Sequence, residues 1–374
     1  MKIGVISPYN SQNYGTVLQA FALAHVLESK GVDCEYINYR TWKRGDKVDY
    51  LKFLLRHPLY LLSRHWTKYV NRHGLKYSHV HDNWFSEVVR KNEEFVTKNI
   101  PNSNELFTYD TLSKLRIRYN KLIIGSDQTW SPFHELIYSM FFLDLYKYGK
   151  SYSYAPSLGT TKPSKIFLKY LSSKINRLSL ASCREVCNSH ILTQMSNKEV
   201  TCVLDPTLLI KHNEWKPYFE QVEGMSNEYI LCYILGERSD IAEHAENMGK
   251  KLNLPVYYIS TRDIYRSKKN HLDNIGVGNF LWLIDNASWV VTDSFHSTIF
   301  SINFNRNFYC FVKMPGESFD NGRLLDMLMQ VGLESRLLAT AIECYSEIDY
   351  SEVNNILDKR RRNSLSFVDK IIND

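Results

Sequence analysis

At 374 residues the chain exceeds the size at which a single hydrophobic core stops growing, so two domains are expected. With 44% hydrophobic and 23% charged residues it is not a disordered chain. A formal charge of +6 without a recognised binding motif argues against nucleic acid as a partner.

The first residues, Met1-Lys2-Ile3-Gly4-Val5-Ile6-Ser7-Pro8, carry an apolar run too short for a secretion signal and read as a strand over 2–7. The expectation is a protein that is not exported and is cytoplasmic. Seven cysteines, scattered from Cys34 to Cys344, fit free thiols in a reducing compartment. Cys183 and Cys187, the one close pair, lack the partners of a zinc site.

A polar loop over 8–16 leads to a helix from about 17 to 29, ended by Lys30-Gly31, and a strand over 34–39 completes a βαβ unit. From Arg40 to Lys76, ten Lys/Arg face only Asp46 and Asp49, interleaved with Trp42, Tyr50, Phe53, Tyr60, Trp66 and Tyr69. Such a segment suits anionic lipid headgroups or an anionic substrate; a solvated helical insertion packed on the domain is the alternative. The apolar stretch 51–62 is interrupted by Arg56, His57 and Pro58 and is too short to span a bilayer.

A helix ends near Asn99, and the strand 121–124 runs into Gly125-Ser126-Asp127-Gln128-Thr129-Trp130. A strand over 151–154, a helix over 166–176 and a strand near 178–181 lead to Ser182-Cys183-Arg184-Glu185. The strand 200–204 closes on Asp205-Pro206-Thr207. A second alternating series follows: strand 229–235, helix 240–252, strand 256–259, and a strand at Trp289 that ends in Val290-Val291-Thr292-Asp293-Ser294-Phe295-His296.

This alternation predicts an α/β protein of two doubly wound, Rossmann-like domains facing a cleft. The expected units are 1–210, with the helical insertion at 40–100, and 225–345. A last helix, within 346–374, has no docking site assigned.

Five polar clusters follow strands: Asn13-Tyr14-Gly15-Thr16, Gly125-Ser126-Asp127-Gln128, Ser182-Cys183-Arg184-Glu185, Asp205-Pro206-Thr207 and Asp293-Ser294-Phe295-His296. Each taken alone is ordinary turn or cap chemistry. Five at the carboxyl ends of strands predict one shared cleft. His296, between a strand end and a helix start, can donate a proton, accept one or bind an anion; capping its helix is the alternative. Gly15 would allow close backbone approach to a ligand. Neither the G-x-G-x-x-G nor the P-loop pattern is present at a strand end, and neither Asp-x-Asp nor helically spaced histidines point to a metal. No metal and no cofactor are expected.

In order along the chain, Asn13-Tyr14-Gly15-Thr16-Val17-Leu18-Gln19-Ala20, Gly125 to Trp130, Asp205-Pro206-Thr207-Leu208-Leu209, Thr292 to Ser301 and Arg323-Leu324-Leu325-Asp326-Met327-Leu328 resemble the polysaccharide pyruvyl transferase family. The resemblance implies a GT-B-like pair of domains. It also implies transfer of pyruvate as a ketal from phosphoenolpyruvate to a sugar, for surface polysaccharide biosynthesis. Protonation of the enol carbon would create an oxocarbenium-like centre. One sugar hydroxyl attacks it, and a second displaces phosphate.

On this resemblance His296 is the general acid, and Asp127 deprotonates the attacking hydroxyl or caps its turn. Arg184, from the first domain, and Ser294, Phe295, Ser297 and Arg323, from the second, bind the donor. Asn13, Tyr14, Gly15, Gln128 and Trp130 face the acceptor from the first domain. Family members often place an arginine where this chain has Ser294; Arg323 would replace that cation. The implied partner is a sugar or lipid-linked oligosaccharide, reached by peripheral contact with the inner membrane face. A nucleotide-sugar-dependent glycosyltransferase of the same architecture is the alternative, and a glycan-binding scaffold is the non-enzymatic one.

Overall fold

The computed structural model describes residues 1–39, 82–131, 147, 149–236, 238–260, 263–312 and 322–374. The basic aromatic stretch 40–76 lies outside them. Among the described residues, no helix is long and apolar enough to cross a membrane.

Strand β1 (Lys2–Ile6), helix α1 (Tyr14–Ser29) and β2 (Asp33–Tyr36) form the expected first unit. Helix α2 (Asp82–Asn99), β3 (Lys121–Ile124) and β4 (Lys150–Ser153) follow. The four strands form a parallel sheet in the order β2-β1-β3-β4. Helix α3 (Lys165–Ile175), β5 (Ala181–Cys183), α4 (Val186–Met195) and β6 (Val200–Cys202) come next. β5 and β6 are parallel neighbours, and a bridge from Tyr152 to Leu180 continues the first sheet towards them.

The second series comprises β7 (Ile230–Ile234), α5 (Ser239–Leu252), β8 (Val256–Ser260), α6 (Val277–Asn286) and β9 (Trp289–Thr292). It continues with α7 (Phe295–Asn303), β10 (Asn307–Phe311), α8 (Gly322–Met329) and β11 (Leu337–Leu338). This sheet is also parallel, in the order β11-β10-β9-β7-β8.

Alternate residues of the strands enter different cores, as parallel strands covered on both faces require. Ile3, Val5 and Ile123 join one apolar cluster, while Ile6, Leu122 and Ile124 join another. In the second sheet Leu231, Tyr233 and Val290 share the first of these clusters, whereas Ile230, Cys232 and Val291 enter a third. One core is therefore common to both domains, built around α1, α6 and α7. The buried Trp215 plugs it, its ring 5.4 Å from Phe21 and 5.2 Å from Phe300 between centroids. Helix α1 is apolar on nearly all sides because it is enclosed on nearly all sides.

The last helix, α9 (Tyr350–Asn373), returns to the first domain. Lys121 Nζ, buried, donates to the carbonyls of Ile371 (2.8 Å) and Ile372 (2.7 Å), carbonyls left open at a helix C-terminus. Lys30 pairs with Asp369 at 2.6 Å, and Tyr152 donates to Asp374 at 2.7 Å. Arg361 Nε donates to the Leu208 carbonyl at 2.7 Å, tying the same helix to the turn after β6.

Candidate active site

The polar clusters meet where the carboxyl ends of β3, β5, β6 and β9 face one another. After β3, Asp127 turns the chain with a left-handed φ of 69°, which a short polar side chain tolerates. Its Oδ2 accepts from Thr16 Oγ1 at 2.7 Å and its Oδ1 from the Gln128 amide at 2.8 Å. Thr16 is in the first turn of α1, whose cap is Asn13: the Asn13 Oδ1 accepts from the amides of Gly15 and Thr16.

After β5, the buried Arg184 donates through Nη1 to Asp205 Oδ2 at 2.6 Å, and its Nε lies 3.6 Å from Glu185 Oε1. Asp205, following β6, is fixed from its other oxygen by the Thr207 amide (3.1 Å) and hydroxyl (2.8 Å). The Arg184 guanidinium also lies over the ring of Phe295, 4.2 Å from its centroid, and that of Arg323 lies 5.8 Å from the same centroid.

After β9, Asp293 accepts from the amides of Leu235 and Gly236, both at 2.7 Å, and so fastens the end of β7. Ser294 caps α7, accepting from the Ser297 amide at 3.4 Å. His296 occupies the first turn, its Nε2 3.9 Å from Asp205 Oδ2. Its ring lies on the backbone of Gly15: a Cβ built there would be 2.0 Å from Nδ1. The close approach that Gly15 permits is to the imidazole of the second domain.

Burial pushes the His296 imidazole below its ordinary value; Asp205 and Asp127 pull it back up, and Arg184 and Arg323 push it down. Burial would raise both carboxyls, yet they titrate below the usual range. His296, the Thr16 hydroxyl, Arg184 and the Gln128 amide outweigh it at Asp127. Arg184, His296 and the Thr207 amide do so at Asp205. Burial works against the charge on Arg184, but Asp205, Glu185 and Asp127 keep it protonated.

Buried polar atoms of this cluster without a hydrogen-bond partner among the described residues include Arg184 Nε and Nη2, His296 Nε2, Ser297 Oγ and Gln128 Oε1. Buried polar atoms are nearly always satisfied in a folded protein, so an unsatisfied group of them beside a helix N-terminus points to a polar ligand. Among the described residues no group of three His, Cys, Asp or Glu could hold a metal ion.

The expected site residues thus divide. His296, Asp127, Arg184, Ser294, Phe295, Ser297, Arg323, Asn13 and Gly15 surround the strand ends. Gln128 follows Asp127, its Oε1 turned onto Gly159. Two assignments need correction. Tyr14 is buried, stacked on Phe280 at 4.7 Å, with its hydroxyl donating to the Ile275 carbonyl at 2.8 Å; it pins the domains together and offers no face to a sugar. Trp130 is fully enclosed in the outer core of the first domain, for the same reason that many tryptophans are: its apolar area is best buried. Sequence reasoning gave no role to Thr16 or Asp205. The signal for Asp205 was present, an acid followed by Pro-Thr directly after a strand.

Comparison of folds finds the UDP-GlcNAc 2-epimerase of Neisseria meningitidis bound to UDP-GlcNAc, with a TM-score of 0.51 at 9% identity over 100% of this chain and 99% of that one. A putative UDP-N-acetylglucosamine 2-epimerase from Listeria monocytogenes gives 0.50 at 8% identity, over 96% of this chain and 94% of that one. At such identities the likeness shows the fold alone, which is GT-B: two Rossmann-like domains facing a cleft. No curated protein matches the sequence. The model of the family described as polysaccharide pyruvyl transferase matches residues 13–312, most of the chain, and the protein belongs to that family.

Proposed function

We propose that the protein transfers pyruvate from phosphoenolpyruvate to a sugar, closing a ketal and releasing phosphate. The observation that carries this reading is the set of unsatisfied buried atoms at the start of α7, Arg184 Nε and Nη2, Ser297 Oγ and His296 Nε2. They suit a donor with a phosphate and a carboxylate, because charge-assisted hydrogen bonds in a buried site are strong. Arg184 is already neutralised by Asp205, so Arg323 supplies the additional cation in place of the arginine absent at Ser294.

His296 gives its proton to the enol carbon. The negative charge of the donor adds to that of Asp205 and Asp127 in favouring the imidazolium, so the proton enters with the donor. Asp127, held ionised, takes the proton of the attacking hydroxyl. Asn13, Gly15 and Gln128 form the acceptor side. The basic aromatic stretch 40–76 brings the cytoplasmic enzyme to anionic headgroups at the inner membrane face, where a lipid-linked acceptor is met.

Thermal-shift titration tests the donor directly, since a ligand at 100 times its Kd stabilises the folded state by about 2.7 kcal/mol. Phosphoenolpyruvate is expected to raise the melting temperature and UDP-sugars to leave it unchanged. The reverse would assign a nucleotide-sugar donor and a glycosyltransferase.

A further inference from the structure

We propose that Asp205 is a positioning residue for the transfer, the fixed anion that holds Arg184 and His296 in one array. This rests on the reading of His296 as the proton donor.

Asp205 is fully buried, and its two oxygens divide their work. Oδ1 is spent on the amide and hydroxyl of Thr207, which lock the carboxylate plane to the chain turn after β6. Oδ2 collects three groups from three other elements: Arg184 Nη1 at 2.6 Å, Ser126 Oγ at 3.3 Å and His296 Nε2 at 3.9 Å. A carboxylate needed only to neutralise Arg184 would suffice with the guanidinium alone. Here the same oxygen also faces the imidazole across the domain interface.

His296 is faced by Asp127 from the turn after β3, Asp205 after β6, Arg184 after β5 and Arg323 on α8. Of these, Asp205 is the strongest influence favouring the protonated ring, and it lies too deep to meet an acceptor hydroxyl as Asp127 can. Asp205 therefore acts through its neighbours: it aims the free edge of Arg184 and keeps His296 chargeable in a site whose burial opposes charge.

The test is histidine-labelled NMR on the full chain, with His296→Gln used to assign the His296 signal, together with the pH profile of phosphate release. In Asp205→Asn the His296 ring should titrate at least about one pH unit lower, because an opposite charge at this range shifts a neighbour by 1 to 3 units. The high-pH limb of activity should move down with it. A purely structural role would lower the melting temperature and leave the His296 titration in place.

Should Asp205→Asn fail to fold, the double variant Arg184→Gln/Asp205→Asn removes the carboxylate together with the guanidinium it neutralises. The ring should again titrate lower, since Asp205 outweighs Arg184 at His296. A His296 that titrates identically in the folded variant, or stays neutral in the wild type down to acid unfolding, would overturn the proposal. If the titration moves as expected but the wild type releases no phosphate from phosphoenolpyruvate, the role of Asp205 stands and the donor assignment falls.

Discussion

The imidazole of His296 is seated on the backbone of Gly15, so closely that a Cβ at Gly15 would lie 2.0 Å from Nδ1. These residues belong to different domains: Gly15 opens α1 and His296 opens α7. The contact is held in place by the neighbouring Tyr14, whose ring stacks on Phe280 and whose hydroxyl reaches Ile275. The His296 imidazole and the first domain thus meet across a packed, apolar interface.

Gly15→Ala is therefore expected to do more than an exposed glycine change. The added methyl must displace a buried ring, which costs typically about 1–3 kcal/mol in a packed interior. It should also tilt His296 away from Asp205 and lower kcat/KM by at least about tenfold, the equivalent of about 1.4 kcal/mol in the barrier. Urea denaturation and phosphate release measure the two effects. Unchanged values of both would show that the ring moves aside freely.

The Arg184–Asp205 pair should show strong coupling. Arg184→Ala leaves a buried carboxylate without its cation, and breaking such a pair costs about 3–5 kcal/mol. The double variant Arg184→Ala/Asp205→Ala removes both charges and should be less destabilised than the sum of the single changes. A denaturation cycle of the four proteins checks this.

Two further aspartates are expected to act on stability rather than on chemistry. Asp293→Ala removes the carboxylate that accepts from the half-buried amides of Leu235 and Gly236 and should cost about 1–3 kcal/mol. Asp326 on α8 accepts from the amides of Val186 and Cys187 at 3.1 and 3.2 Å and so caps α4; Asp326→Ala should cost about 0.5–2 kcal/mol. Both variants, assayed well below their melting temperatures, should keep substantial turnover.

Acid should act through His244. This buried ring lies among Tyr309, Phe311 and Tyr345, and neither nitrogen has a hydrogen-bond partner among the described residues. Burial holds it below its ordinary 6.5, opposed only by Asp240. The unfolded chain then binds a proton that the folded ring resists. Stability from this group is intact above about pH 6.5 and declines as pH falls towards the folded value, by at most roughly 1.4 kcal/mol per pH unit. His244→Phe removes that slope. Its stability relative to wild type should rise between pH 7 and pH 5 in urea titrations, with His271 and His296 unchanged in both proteins.

Much of the fold could be read from local signals, and the reasons are visible in particular residues. The continuous apolar run Leu122-Ile123-Ile124 marks a strand covered on both faces, and β3 has the bounds its pattern predicts. Helix α1 begins at Tyr14, three residues before its apolar periodicity starts, because the Asn13 side chain caps it there. Helix α4 was not foreseen: its polar Asn188 and Ser189 are buried by bonds to Glu185 and Val200, which periodicity cannot anticipate. The short β10 and β11 likewise carried no clear pattern of their own.

At the site, residues directly after strands were legible because the switch-point geometry gathers them. Partners were not. Asp205 meets Arg184 from 21 residues away and His296 from the other domain, and no local pattern reports that pairing. Tyr14 and Trp130 were misassigned for the converse reason: an aromatic near a strand end reads the same whether it faces a ligand or a core.

Pyruvyl transfer is measured by incubating the purified protein with phosphoenolpyruvate and a panel of sugar acceptors, following phosphate release and product mass together. Phosphate release with a matching pyruvate ketal on one acceptor, lost in a folded His296→Ala variant, is the predicted result. No phosphate and no ketal across a broad panel, or turnover unchanged in His296→Ala, would contradict it.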